Sequence, residues 1–140
     1  MKIIGVIIMS LLAATSSYAN SQLVSDSVME VLQQYTQGTE HSDISILEKD
    51  FHQDFRVVAI TAEGLRVINR KDYLALIKAK KIGGNKRHLS LKNVIDGENI
   101  MQVSLTLTGE KAIFHDRLDL IKQDGRWQIL HNSTQVSAQN

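Results

Sequence analysis

Asp116 and His131, on either side of a tight turn at Asp124-Gly125, are two polar residues at predicted core-facing positions of one hairpin. A carboxylate that accepts a hydrogen bond from an imidazole fixes the tautomer of the ring and raises its basicity. Such a pair can act as a general base in a dry pocket, or it can orient a bound ligand. It can also be a buried pair whose two side chains satisfy only each other's hydrogen bonds. The sequence leaves all three roles open.

Asp116 and His131 share a face only if the flanking strands are paired through a two-residue turn. Asp-Gly is a strong signal for that turn. It predicts the pairs Gln123–Arg126, Leu120–Ile129, Leu118–His131 and Asp116–Ser133, and paired residues lie on one face of a sheet. That face is then apolar apart from Asp116, His131 and Ser133, with Phe114, Leu118, Leu120, Trp127 and Ile129. A three-residue turn would shift the register and separate His131 from Asp116.

The remaining histidines and the basic run give weaker signals. No His-x-x-x-His spacing occurs, and His115 falls on the opposite face from His131 in the predicted register, so we predict no metal and no cofactor. The run from Lys78 to Arg87 follows a predicted helix instead of preceding one, which favours a solvated helix end over a phosphate-binding loop. An anionic ligand at the mouth of a pocket is the alternative for this run.

Apolar periodicity predicts the elements that position these residues. Three helices are predicted over 23–37, 43–50 and 70–81, the first ending at Gly38. Strands are predicted over 55–61, 65–68, 88–95 and 101–108 and in both halves of the hairpin. This order predicts an α+β domain in which three helices pack on one face of a curved antiparallel sheet of about six strands.

The N-terminal residues have the pattern of an export signal. Lys2 precedes a short apolar run over 3–14, and small residues follow at Ser17 and Ala19, which predicts a signal peptide over 1–19 and one domain over 20–140. An uncleaved anchor is the alternative. We therefore expect an exported protein, periplasmic if the host is a bacterium. Cleavage removes Lys2 and leaves equal numbers of basic and acidic residues, which argues against nucleic acid, or a membrane after cleavage, as the partner.

Four short motifs follow one another along the chain: Tyr35-x-x-Gly38, Asp43-x-x-x-Leu47-x-x-x-Phe51-His52-x-Asp54, Phe114-x-Asp116 and Asp124-Gly125-x-Trp127-x-Ile129. In this order they resemble the nuclear transport factor 2-like superfamily, which includes ketosteroid isomerase, scytalone dehydratase and the polyketide cyclases. The sequence is most similar to the branch labelled lumazine-binding. The resemblance implies a cone-shaped domain. It also implies that the isomerase base would fall at Ala59 and its oxyanion-side acid near Arg117, so steroid-type isomerisation is not expected.

These observations predict a non-catalytic domain that binds a small molecule in a cone-shaped pocket. The predicted ligand-binding residues are Tyr35, Phe55, Asp116, Trp127, His131 and Ser133. One alternative is an enzyme of isomerase, dehydratase or hydrolase type that uses Asp116 and His131 as an acid–base pair. Another is a homodimer formed through the outer face of the sheet, where Ile113, Leu130 and Val136 are expected.

Overall fold

The computed structural model describes residues 23–139, so the predicted signal peptide over 1–19 lies outside the described residues. No helix within 23–139 has the length and apolar character needed to cross a bilayer. The elements, in chain order, are α1 (Asp26–His41), α2 (Ile44–Asp50), β1 (Phe51–Thr61), β2 (Gly64–Asn69), α3 (Arg70–Lys78), β3 (Arg87–Ile95), β4 (Ile100–Gly109), β5 (Ala112–Gln123) and β6 (Arg126–Ala138).

The first helix begins and ends later in the chain than its sequence pattern predicts, since it covers Asp26–His41 instead of 23–37. The side chain of Ser25 caps its start by accepting a hydrogen bond from the backbone N–H of Val28. The helix continues past Gly38 and ends at Ser42, which adopts the left-handed conformation. Gly38 has a packing role instead, because a Cβ atom there would lie 2.8 Å from Cδ2 of Leu47 on α2. The glycine thus allows α2 to approach α1 closely.

The sheet confirms the predicted α+β class and contains six strands in the order β2-β1-β6-β5-β4-β3. Its neighbouring strands are antiparallel except for β1 and β6, which are parallel. Parallel neighbours need a long connection, and here the chain passes through β2, α3 and β3–β5 before β6 returns beside β1. The two central strands of this order are β6 and β5, which carry His131 and Asp116.

The apolar core fills one end of the space between the helices and the sheet. The rings of Phe51 and Phe55 stack with centroids 3.9 Å apart, and the ring of Tyr73 on α3 packs edge-on against both. Fully buried side chains of the sheet surround them, among them Leu118, Leu120 and Ile129. Apolar burial at this end supplies most of the favourable free energy of folding.

The hairpin has the predicted turn, but the predicted register holds for only half its length. Gln123 pairs with Arg126 and Leu120 with Ile129, as a two-residue turn requires. Beyond that point β6 contains one extra residue, Leu130, and the pairs become Asp119–His131, Leu118–Asn132, Arg117–Ser133 and Asp116–Thr134. A bulge of this kind turns every following side chain to the opposite face. The predicted register beyond Ile129 is therefore wrong.

The neighbouring strand also changes register close to this point. Along β1, Phe51 pairs with Ile129 and Arg56 with His131, so β1 contributes more residues than β6 between these two pairs. Irregular pairing on both sides of β6 bends the sheet locally and increases its twist. The filled core around Ile129 lies before this irregularity along β6, and the open end of the domain, around Asn132 and Thr134, lies beyond it.

Candidate ligand-binding cavity

A cavity of about 290 Å³ lies at the open end, between α1, α3 and the inner face of the sheet. Its volume is at the lower end of the range of about 300–1,000 Å³ that is typical of small-molecule sites. Much of its wall is apolar and is formed by Val57, Ala59, Ile68, Ile82, Phe114 and Val136. The cavity is therefore suited to a compact ligand with a largely apolar body.

Three buried polar side chains form the floor of the cavity, and we call them the polar cluster: Tyr35, Asp116 and Asn132. The Tyr35 hydroxyl donates a hydrogen bond to Oδ2 of Asp116 at 3.1 Å. Nδ2 of Asn132 donates to the Tyr35 hydroxyl at 3.1 Å and lies 3.4 Å from the same carboxylate oxygen. Asp116 is 4% exposed and Asn132 is 2% exposed. These hydrogen bonds join α1 to the two central strands.

Part of the hydrogen-bonding capacity of this floor is unused. Oδ1 of Asp116, Oδ1 of Asn132 and Oγ1 of Thr134 are buried and make no hydrogen bond of good geometry among residues 23–139, although the Thr134 hydroxyl is close enough to the Asp116 carboxyl to lower its pKa. All three residues line the cavity. Buried polar atoms in proteins are nearly always paired, because an unpaired one costs about 1–3 kcal/mol. A polar ligand edge that reached these atoms would supply the hydrogen bonds that they lack.

Burial determines the protonation preferences in the cavity. It raises the pKa of Asp116, while hydrogen-bonding neighbours and the positive charge of Arg87 act in the opposite direction. The uncharged carboxyl form that burial favours can donate as well as accept a hydrogen bond. Burial also raises the pKa of Tyr35 well above its usual value and the pKa of Tyr73 to about 12, so both phenols keep their protons.

A partly buried arginine completes the polar lining. The guanidinium of Arg87 lies over the ring of Phe114, with Cζ 5.0 Å from the centroid, and it donates a hydrogen bond to the hydroxyl of Thr39. Its Nε is buried and has no partner among the described residues. Contacts with the aromatic face and the hydroxyl fix the orientation of this positive charge.

The structure places Tyr35 and Asp116 in the cavity, but it does not bring His131 or Ser133 there. Nδ1 of His131 lies 3.7 Å from Oδ2 of Asp119 on the outer face of the sheet. Ser133 pairs with the exposed Arg117 on the same outer face. The expected shared face of Asp116, His131 and Ser133 is therefore wrong, because the Leu130 bulge reverses the facing of β6.

Two other predicted ligand residues lie away from the cavity. Phe55 is in the core, stacked on Phe51. Trp127 is half-buried near the Asp124-Gly125 turn, where Nζ of Lys122 lies 6.0 Å from the centroid of the Trp127 ring. Neither side chain lines the cavity described above.

Asn132, Thr134 and Arg87 line the cavity although none was among the predicted ligand residues. One signal for the first two was present in the sequence. Ile129 and Val136 are both apolar and lie seven residues apart. Because side chains alternate along a strand, a regular strand would place these two residues on opposite faces. Both point inward here, so Val136 lines the cavity instead of the outer face where it was expected. Arg87 ends the basic run over 78–87, for which an anionic ligand at the mouth of a pocket was the alternative interpretation.

The positions derived from the isomerase resemblance fall on different faces. Ala59 lines the cavity, as an equivalent of the isomerase base should, but it has only a methyl group. Arg117 is exposed on the outer face, and the inward acid is its neighbour Asp116. Within residues 23–139, no three His, Cys, Asp or Glu side chains are grouped so that they could hold a metal ion.

A curved sheet that carries three helices and a ligand-sized cavity at its open end defines the nuclear transport factor 2-like class. Residues 24–133 match the family described as "Putative lumazine-binding", and the chain belongs to this family. No protein with a curated description matches the sequence.

Solved structures of the same class share the fold at low sequence identity. An NTF2-like protein of unknown function from Silicibacter pomeroyi DSS-3 is 15% identical, with a TM-score of 0.71 over 79% of this chain and 93% of that one. One from Shewanella baltica OS155 is 14% identical, with a TM-score of 0.70 over 79% and 91%. One from Methylobacillus flagellatus KT is 19% identical, with a TM-score of 0.68 over 81% and 91%.

Proposed function

We propose that this protein binds a small molecule in the cavity, with a polar edge of the ligand on the floor and its body against the apolar wall. The observation that carries the proposal is the group of three buried polar atoms without partners, on Asp116, Asn132 and Thr134. Each would gain a hydrogen bond from a ligand that reached it.

The chemistry of the floor favours a planar heterocycle that carries both carbonyl and N–H groups. The Asn132 oxygen and the free oxygen of Asp116 accept hydrogen bonds, whereas the Thr134 hydroxyl can donate or accept one. Aromatic rings of Tyr73 and Phe114 lie along the wall. Lumazine, which the family description names, is a flat bicyclic ring with alternating carbonyl and N–H groups and fits this class.

We propose binding without turnover. The position expected for an isomerase base is Ala59, which cannot accept a proton, and burial raises the pKa of Tyr35, the phenol hydrogen-bonded to Asp116, so that it keeps its proton. Among the described residues that line the cavity there is no histidine or cysteine. The alternative acid–base pair has no geometric support, because Asp116 and His131 lie on opposite faces of the sheet.

Native mass spectrometry of the protein purified from its own host tests the proposal. A reproducible extra mass of small-molecule size, lost on denaturation, is the expected result. Titration of ligand-free protein with lumazine, followed by the ligand's fluorescence, should then show saturable binding at one site per chain. An absence of both the extra mass and saturable binding would contradict the proposal for this ligand class.

We also propose that residues 1–19 are removed on export, to the periplasm if the host is a bacterium. The pattern of Lys2, the apolar run over 3–14 and Ala19 supports this proposal. The same mass spectrum tests it, because the mature chain would begin at Asn20. A mass that includes residues 1–19 would contradict it.

A second candidate role is self-association through the outer face of the sheet. Val58 faces Val67, and Ile60 faces Leu65, across β1 and β2, and these four residues form an apolar patch. Leu65 is 67% exposed. A patch of this kind suits an isologous contact with a second copy of the chain, in which the same residues meet across a two-fold axis.

Sedimentation velocity tests this association. We expect a dimer for the wild type and a monomer for Leu65→Lys, because a lysine there would place like charges near each other across the two-fold axis. Ile100→Lys is the matched control, since Ile100 is 66% exposed but lies on β4, outside the patch. A wild type that stays monomeric at all concentrations would exclude the association.

A further inference from the structure

Positive charge is concentrated on one side of the cavity. Arg66 on β2, Lys81 in the segment between α3 and β3, and Arg87 at the start of β3 all line it. Arg66 and Lys81 are exposed, whereas Arg87 is partly buried. The charges therefore extend from the mouth of the cavity, at Arg66 and Lys81, to its interior.

No ion pair within residues 23–139 includes any of these three cations, although Arg87 is near enough to Asp116 to lower the pKa of that carboxyl. The acid that lines the cavity is Asp116, and its hydrogen bonds go to Tyr35 and Asn132 instead of to a cation. Asp72 lines a neighbouring groove outside the cavity, and Arg66 and Lys81 line that groove as well. A net positive field at the mouth attracts anions.

The segment that carries Lys81 is held in place by its neighbours. The backbone N–H of Gly84 donates to the Thr39 carbonyl on α1 at 3.0 Å. Gly83 has a positive φ of 75°, and a Cβ atom there would lie 2.4 Å from the same carbonyl oxygen. This close approach positions Lys81 beside the cavity and places it on the same side as Arg87.

We propose that the bound molecule is an anion and that its carboxylate is held by Arg87 together with Arg66 and Lys81, while its ring lies on the polar cluster. This inference rests on the proposed function of the cavity. The unpartnered Nε of Arg87 supplies a directed, charge-assisted donor, and the two exposed cations add attraction at the mouth. A planar guanidinium matches a carboxylate in geometry as well as in charge.

A matched pair of compounds separates the charge from the ring. Lumazine-6-carboxylate and lumazine-6-carboxamide have nearly the same shape and differ by one negative charge. Calorimetry at low salt should show binding of the carboxylate about tenfold tighter than binding of the carboxamide, which is the size expected for one charge-assisted hydrogen bond. The preference should weaken as salt is added.

Variants of the three cations test which residues are responsible. Arg87→Gln should lose most of the preference for the carboxylate, whereas the double variant Arg66→Gln, Lys81→Gln should lose the part that salt weakens, and both should keep their affinity for the carboxamide. Lys78→Gln is the control, because Lys78 is exposed on α3 but does not line the cavity. Equal affinity of the wild type for both compounds would overturn this inference and leave the proposed function standing. If neither compound binds, the proposed function fails and this inference fails with it.

Discussion

Replacing Asn132 by leucine is expected to reduce lumazine binding by roughly 100-fold, whereas replacing its neighbour His131 by glutamine should leave binding unchanged. Asn132 is buried in the polar cluster, lines the cavity and has an unpartnered carbonyl oxygen. Without it the ligand's N–H group would be buried unpaired, and a site built on such hydrogen bonds discriminates strongly against their loss. Calorimetric titration of each variant gives the two affinities directly.

A milder pair of substitutions separates binding from folding. Thr134→Val removes a hydroxyl that has no partner among the described residues and keeps the shape of the side chain, so stability should change little while binding weakens about tenfold. Ser133→Ala removes a hydroxyl from the outer face and should have no effect on binding. If Ser133→Ala and His131→Gln weakened binding and the two inward variants did not, the cavity would be the wrong site.

Replacing Asp50 by asparagine is expected to stabilise the protein at pH 8 by about 2 kcal/mol and to have little effect at pH 4. Asp50 is the last residue of α2 and is 6% exposed, and its Oδ2 has no partner among residues 23–139. Burial raises its pKa to about 7; Glu30 adds to this effect, while Arg126 and Lys49 oppose it. A carboxylate at a helix C-terminus is also disfavoured by the helix dipole.

The sign of this pH dependence follows from proton linkage. Because the folded state of Asp50 holds its proton more tightly than the unfolded state, the free energy of unfolding falls as the pH rises from about 4 to about 7. The full difference in pKa corresponds to about 4 kcal/mol, and partial screening of the carboxyl by solvent reduces it to about half. Asparagine has no proton to lose, so the variant keeps its stability across this range.

Urea unfolding at pH 4, 6 and 8 measures the effect. The free energy of unfolding of the Asp50→Asn variant should still fall somewhat as the pH rises, because burial also raises the pKa of Asp116. Asp54→Asn is the control, since the Asp54 side chain is 77% exposed and should change little at any pH. Equal stabilities of the wild type and Asp50→Asn at pH 8 would show that the Asp50 carboxylate is ionised at no cost.

Local sequence signals predicted the elements and the class of the fold. Asn69 caps α3 and Asp43 caps α2 through hydrogen bonds from nearby backbone N–H groups, and Asp124-Gly125 forms the two-residue turn. Tyr35 and Asp116 point inward as their helical and strand periodicities required. Capping, turn formation and amphipathic periodicity act over a few residues, so one sequence is sufficient to predict them.

The composition of the cavity depends on contacts between distant parts of the chain. Strand β6 lies between β5 and β1, and its pairing with both is irregular around Leu130. The bulge there places Asn132 and Thr134 in the cavity and His131 and Ser133 outside it. Arg87 reaches the same cavity only because β3 begins beside Thr39 of α1. The sequence alone thus determined the α+β class and the inward facing of Tyr35 and Asp116. The tertiary structure decided which residues join them, because a bulge is set by the strands on both sides of it and not by the sequence within it.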